Sequence, residues 1–186
     1  MEIKLFSREQ TLEQFERLAA EAEKQVYSVC YHMMGQRQDA LDCAQETMLR
    51  AYRGFDSFRR SASFATWITR IAINVCTDAL RKRRESLSLD QLRQEQGFDP
   101  PDKSPGAYEQ LEEKERLALL RQALQSLPED ARQLIILRDM RQMTYEEISD
   151  ILKLPLGTVK SRISRAREKL ASILRNSSEL FSSRSV

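Results

Sequence analysis

The stretch TYEEISDILKLPLGTVKSRISRAREKL, residues 144–170, decides the fold. Thr144-Tyr-Glu-Glu147 has the pattern of a capping box, in which a threonine hydroxyl and a carboxylate three positions on satisfy backbone N–H groups that a helix start leaves open. A short helix carrying Ile148, Ile151 and Leu152 is predicted to follow. Leu154-Pro155-Leu156-Gly157 then makes a tight turn into a last helix, where Val159, Ile163, Ala166 and Leu170 recur at helical spacing and face inward. Together these segments read as a helix-turn-helix. Thr158, Lys160, Ser161, Arg162, Arg165 and Arg167 lie largely on the remaining surface. Hydroxyls and guanidinium groups in the first turns of such a helix suit the major groove, where base edges and phosphates are both within reach. A solvated αα-hairpin is the plainer alternative.

Working back from there, Leu111, Leu117, Leu120, Leu124 and Leu127 keep a helical period, and Pro128 fits the first position of another helix with Ala131, Leu134, Ile135 and Leu137. These complete a second core. Near the start, Thr11-Leu-Glu-Gln14 resembles another capping box, and apolar positions from Leu12 to Met33 run up to Gly35, a plausible stop, as one long helix or two shorter ones. A second helix is expected from about Asp39 to Phe55, with Leu41, Ala44, Met48, Tyr52 and Phe55 as its core stripe. Asp42, Gln45, Glu46 and Leu49 lie beside or opposite that stripe, as a solvated face or a partner site.

After the loop Asp56 to Ala62, a third helix, roughly Ser63 to Arg84, carries two stripes. Phe64, Ile68, Ile71, Val75 and Ala79 form an apolar face. Trp67, Arg70, Asn74, Thr77 and Arg81 form a neighbouring one that combines a ring able to stack, an amide able to pair with a base edge, and cations for phosphates; Trp67 as simple core filling stays open. From Glu85 to Gly106 the apolar period is lost and prolines stand at 100, 101 and 105, so this is read as an acidic linker. The expected fold is all-α: a helical domain over 1–85, a linker over 86–110, a helix-turn-helix domain over 111–176 and a disordered tail over 177–186.

The net charge of +2 over 186 residues conceals blocks of opposite sign. Residues 1–49 sum to −4, 50–84 to +7, 85–116 to −5 and 156–175 to +5. Two basic stripes separated by an acidic one suit a polyanion as partner, with solvated helix faces as the plainer alternative. Cys30, Cys43 and Cys76 sit inside helical patterns without CxxC pairing, so they read as small buried hydrophobes and signal neither a disulfide framework nor a metal site. With one histidine, no nucleotide-binding glycine loop and no paired carboxylates in a pocket pattern, an enzyme is not indicated, no cofactor is implied, and His32 reads as structural. No basic start followed by an apolar run and no membrane-spanning stretch is found, which places the chain in a reducing cytoplasm.

The blocks DALDCAQETMLRAYRGFDSF, SFATWITRIAINVCTDALRKRR and LPEDARQLIILRDMRQMTYEEISDILKLPLGTVKSRISRAREKL, in that order, resemble the extracytoplasmic-function (ECF) sigma factors, which join sigma regions 2 and 4 by a linker. The resemblance implies that Asp42, Gln45, Glu46 and Leu49 dock on the β′ clamp helices of core RNA polymerase. It implies that Ser61, Ala62, Ser63, Phe64, Trp67, Arg70, Asn74 and Arg81 engage the minus-ten element and open it, holding a flipped non-template base in a loop pocket, with melting that needs no ATP. Extruding a base costs about a few kcal/mol, and stacking returns about 1–3 kcal/mol.

By the same resemblance the last helix reads the minus-thirty-five duplex, Ser161 and Arg165 at base edges and Thr158, Lys160, Arg162 and Arg167 partly at phosphates. The second domain meets the β flap, and the acidic linker runs through the RNA-exit path. An anti-sigma factor, commonly membrane-anchored, is a further implied partner. Leu41 stands where family members often carry an acid. The rival reading is a two-domain regulator that binds an operator by itself as a dimer, which accounts for the C-terminal half only.

Overall fold

The structure, a computed structural model, describes residues 8–58, 62–89 and 108–182. Among them there is no strand. The helices are α1 (Arg8–Met34), α2 (Arg37–Gly54), α3 (Phe64–Leu89), α4 (Tyr108–Gln125), α5 (Glu129–Ile135), α6 (Tyr145–Leu152) and α7 (Leu156–Ser182). A 3₁₀ turn, Phe55–Ser57, follows α2, and α5 widens into a π-turn, Ile136–Met140. The described residues divide into two compact units, one drawn from 8–31, 38–58 and 62–89, the other from 32–37 and 108–182. No described helix is long and apolar enough to cross a membrane.

α1 is a single helix, its residues up to Tyr31 belonging to the first unit, and it stops where Gly35 takes φ +78, a left-handed conformation that costs glycine little. The capping-box reading at Thr11 is overturned: α1 already runs from Arg8, so Thr11 lies inside it, and the good helix formers Arg8, Glu9 and Gln10 carry the helix through. The core joins Phe15, Ala22, Val26, Val29 and Cys30 of α1 to Ile68, Ala72, Ile73, Val75 and Cys76 of α3. Polar atoms in it are matched. Thr69 Oγ1 donates to the Ala65 carbonyl (2.7 Å) and accepts from Gln25 Nε2 (3.0 Å), which ties α1 to α3.

The stripe expected for α2 is out of phase. Ala40, Cys43, Thr47 and Ala51 are buried, whereas Leu41 is 36% exposed and Tyr52 51%. The buried face of α2 is made of small side chains, and the Thr47 hydroxyl satisfies itself by donating to the Cys43 carbonyl (2.7 Å). Only Phe55 of the expected stripe is buried. The cysteines meet in this core, one from each helix, with free thiols. Hydrogen bonds to Cys30 and Cys43, with burial, push the Cys76 thiol up, while the bond from Cys76 draws Cys43 down.

In the second unit Leu124, Leu127, Ile135 and Ala166 form a cluster flanked by Leu120, Ala131, Met140, Leu170 and Ile173. Leu117, counted in the predicted stripe of α4, is 55% exposed. Pro128 is the cap of α5 rather than its first residue; its carbonyl accepts from Arg132 N (2.9 Å). Buried Arg132 closes the end of α4 by donating to the carbonyls of Leu124, Gln125 and Leu127. Desolvation lowers its pKa.

The helix-turn-helix has the predicted parts. Thr144 Oγ1 accepts from Glu147 N (3.1 Å) and Glu147 Oε2 accepts from Thr144 N (2.9 Å). Lys153 ends α6 at φ 55, and Ser149 pins the turn through Leu154. Val159, Ile163 and Ala166 are buried and Leu170 partly so.

Two boundaries shift. α3 continues to Leu89, past Arg84, because no Gly or Pro intervenes there. α7 continues to Ser182, through most of the stretch expected as a disordered tail. Residues 90–107, the bulk of the expected linker, lie outside the described residues. Thr144→Ala removes one half of the capping box and is expected to cost about 0.5–2 kcal/mol, read as a lower thermal midpoint of the full chain.

Candidate nucleic-acid and polymerase interfaces

The burial of Cys43, Thr47 and Ala51 turns the opposite side of α2 outward. Asp42 and Gln45 are exposed, Leu49 is 50% exposed, and Glu46 is partly covered. All four residues of the expected polymerase face thus lie on the solvent side of one helix. They are not all unengaged: Gln38 donates to Asp42 (3.2 Å), and Arg50 pairs with Glu46 (2.7 Å). Arg50 reaches on to Asp78 of α3 (3.4 Å), and Arg83 of α3 reaches Asp39 (3.4 Å). Glu46 and Asp78 together raise the Arg50 pKa.

The start of α3 is built on rings. Phe64 packs edge-on against Phe15, Phe55 and Phe58, with centroids 6.3, 6.1 and 5.6 Å away. Trp67 stands 5.1 Å from Phe58 and 5.5 Å from Phe64, partly exposed at the rim. Ser63 Oγ accepts from Thr66 N (3.0 Å) and so caps α3.

Of the residues expected to meet the minus-ten element, Phe64 is buried at 8%, Ser63 is the cap, and Ala62, Trp67 and Arg70 are partly exposed. Asn74 is exposed, and Arg81 is exposed while paired with Asp78 (3.1 Å). Ser61 lies outside the described residues. Periodicity alone did not show that Phe58 belongs with this cluster; its spacing from Phe55 and Phe64 across a short loop was the available signal.

On α7, Lys160, Ser161 and Arg165 are exposed and Thr158 is half-buried. Ser161 Oγ donates to the Thr158 carbonyl (3.1 Å) and Arg165 Nε to the Ser161 carbonyl (3.3 Å), so both side chains lie along their own helix. Arg162 comes within 4.0 Å of Asp130. Arg167 is bound at two nitrogens by Asp139, which raises its pKa. The sequence reading did not identify Asp139, nor Arg138 and Tyr145 beside it. Among the described residues no group of His, Cys, Asp and Glu is arranged to hold a metal.

A helical unit with one polar face turned outward, together with a helix-turn-helix whose last helix carries exposed hydroxyls and cations, defines a two-module DNA-binding protein. Residues 18–86 match the sigma-70 region 2 family, and residues 117–170 match sigma-70 region 4. The ECF RNA polymerase sigma-E factor of Salmonella typhi is 41% identical over 142 residues, covering 71% of this chain and 72% of the relative. The ECF RNA polymerase sigma factor SigW of Bacillus subtilis is 35% identical over 156 residues, covering 81% and 83%.

Among solved structures, the sigma factor RpoE of Bartonella quintana, in complex with the anti-sigma factor NepR, superposes with a TM-score of 0.72 at 26% identity, over 88% of this chain and 98% of that one. CnrH, in complex with the cytosolic domain of CnrY, shares the fold with a TM-score of 0.64 at 24% identity, over 89% and 90%. The chain belongs to the ECF sigma factors of RNA polymerase. It is an alternative sigma factor, a DNA-binding regulator that directs promoter recognition and transcription initiation.

Phe64→Ala removes a nearly buried ring and is expected to cost about 3–5 kcal/mol. Asn74→Ala on the exposed side of the same helix is expected to change stability by about 0.5 kcal/mol or less. Urea unfolding separates the two, and a small loss at Phe64 would show that the ring cluster does not support the start of α3.

Proposed function

We propose that the outward face of α2 docks on the β′ clamp helices of core RNA polymerase through Asp42, Gln45, Glu46 and Leu49. The observation that carries this is the phase of α2, which buries Cys43, Thr47 and Ala51 and leaves those four residues on the solvent side. An exposed leucine among acids and an amide combines an apolar anchor with charge-directed orientation.

The loop before α3 and the start of that helix take the minus-ten element, with Ser61, Ala62 and Ser63 at a flipped base and Arg70, Asn74 and Arg81 along the strand. Phe64 and Trp67 act as the floor of that loop, since their rings are already engaged with Phe58. α7 reads the minus-thirty-five duplex, Ser161 and Arg165 at base edges and Thr158, Lys160, Arg162 and Arg167 toward phosphates. For Arg167 this requires exchanging Asp139 for a phosphate, an exposed pair worth about 1 kcal/mol or less. The second unit also meets the β flap. The chain works without a cofactor and performs no catalysis of its own, acting in the cytoplasm, where an anti-sigma factor, membrane-anchored or not, covers the same faces. The likeness to RpoE in its complex with NepR supports that last partner. An operator-binding regulator accounts for the helix-turn-helix alone and leaves the region 2 match unexplained.

Reversing charge at Asp42 and Glu46 together to lysine is expected to weaken binding of the full chain to core polymerase at least tenfold, with the helical signal and melting midpoint retained. Affinity measured by fluorescence anisotropy checks this, and an unchanged value overturns the α2 assignment. Arg165→Ala is expected to lose discrimination of about 1–3 kcal/mol at one minus-thirty-five position. Trp67→Ala is expected to slow promoter opening while closed-complex affinity holds.

A further inference from the structure

The first unit brings three free thiols into one core, Cys30 from α1, Cys43 from α2 and Cys76 from α3. Cys76 hydrogen-bonds to both of the others. Asp39, before Cys43, pairs with Arg83 of α3, and Arg50, after it, pairs with Asp78, so α2 lies against α3 on either side of Cys43. Cysteine packs as a small hydrophobe, and its reactivity is what sets it apart from alanine at such a place.

The three thiols are not equally enclosed. Cys30 and Cys76 are 0% exposed, whereas Cys43 keeps 5%. A small oxidant arriving from solvent therefore meets Cys43 first. The thiolate is the reacting form; the bond from Cys76 lowers the Cys43 pKa, against burial and the carboxylates of Asp39 and Asp42, which raise it.

We propose that Cys43 and Cys76 are an oxidation site, at which a peroxide closes the pair to a disulfide that bridges α2 and α3 and disables the polymerase face of α2. The Cys43 sulfur attacks a peroxide oxygen, the O–O bond breaks, and Cys43 becomes a sulfenic acid while the peroxide leaves as water or an alcohol. The Cys76 sulfur then attacks the Cys43 sulfur. The S–S bond forms, the S–O bond breaks, and the hydroxyl leaves as water with the proton of Cys76. Two thiols give up two electrons, and the peroxide takes them. An S–S bond is about 2.05 Å long, shorter than any hydrogen-bonded approach of two thiols, so closure draws α2 and α3 together in a close-packed core that transmits strain. Asp42, Gln45, Glu46 and Leu49 sit on the other side of α2 and shift with it. Cellular thiols reverse the bond, as they do for transient redox-sensing disulfides of the cytosol. The effect on polymerase rests on the α2 reading; the disulfide itself does not.

In the test the full chain is treated with hydrogen peroxide, freed of it, alkylated in denaturant and read by intact mass and peptide mapping. The expected product has lost two hydrogen atoms, is alkylated at Cys30 alone and yields a linked Cys43–Cys76 peptide, all reversed by dithiothreitol. Alkylation at all three cysteines overturns the proposal, as does a bridge through Cys30 or between chains, or Cys43 carried to the sulfinic acid without a bridge. Mapping of the unmodified chain decides this even where a core variant folds poorly.

The oxidised, peroxide-free chain is then expected to bind core polymerase about fivefold more weakly or worse, with its helical signal kept and its affinity restored by dithiothreitol. Cys30→Ala is expected to show the same fall, and Cys76→Ala none. Collapse of the helical signal on oxidation overturns the shift of one face. Charge reversal at Asp42 and Glu46 is the control for α2. A loss there with none on oxidation overturns the switch alone, whereas no loss in either overturns the α2 reading and the switch with it.

Discussion

The rotation of each helix about its own axis is the constraint on which the rest depends. A helix packed on one side has one buried stripe, and burying it fixes what the other side offers to partners. In α2 the stripe is Ala40, Cys43, Thr47 and Ala51, so Asp42, Gln45 and Leu49 face outward. In α7 it is Val159, Ile163 and Ala166, so Lys160, Ser161 and Arg165 do. A shift of one residue, about 100° of rotation, would bring polar residues into either core. Packing therefore decides which residues each helix leaves on its outward face.

The aromatic cluster of Phe15, Phe55, Phe58, Phe64 and Trp67 plays a related part at the start of α3. Aromatic rings are stiff, with two rotatable bonds each, and they bury a large area. Phe58 and Phe64 flank the stretch that carries Ser61 to Ser63, so anchors stand on both sides of the loop proposed to take a base. Ion pairs elsewhere weigh less. Arg50 with Glu46 and Asp78, and Arg167 with Asp139, are solvent-accessible pairs of small energetic weight.

Much of this was legible in the sequence where local chemistry decides structure. The capping box at Thr144, the turn around Leu154 and the buried Val159, Ile163 and Ala166 follow from residue types and spacing alone. Where tertiary packing decides, reading failed. The stripe of α2 was drawn through its largest apolar residues, Leu41, Met48 and Tyr52, yet close helix approach favours alanine, cysteine and a self-bonded threonine. Thr11-Leu-Glu-Gln14 matched a capping pattern inside a helix that good formers had already begun. Asp139 was invisible as the partner of Arg167 because the two lie 28 positions apart and meet only in the fold. Asp42, Gln45 and Leu49 were expected beside or opposite the stripe and are found exposed, because the observed stripe lies on the other side of the helix from them.

The central claim is that this one chain turns core RNA polymerase into a promoter-selective enzyme. Its most direct test is transcription by bacterial core enzyme, with and without the purified protein, from a pool of linear promoter fragments without ATP hydrolysis. The account predicts binding to core and new initiation at a subset of fragments that share two short elements at the spacing of minus ten and minus thirty-five. If core enzyme is ignored while the protein alone binds duplex DNA tightly, the account is contradicted.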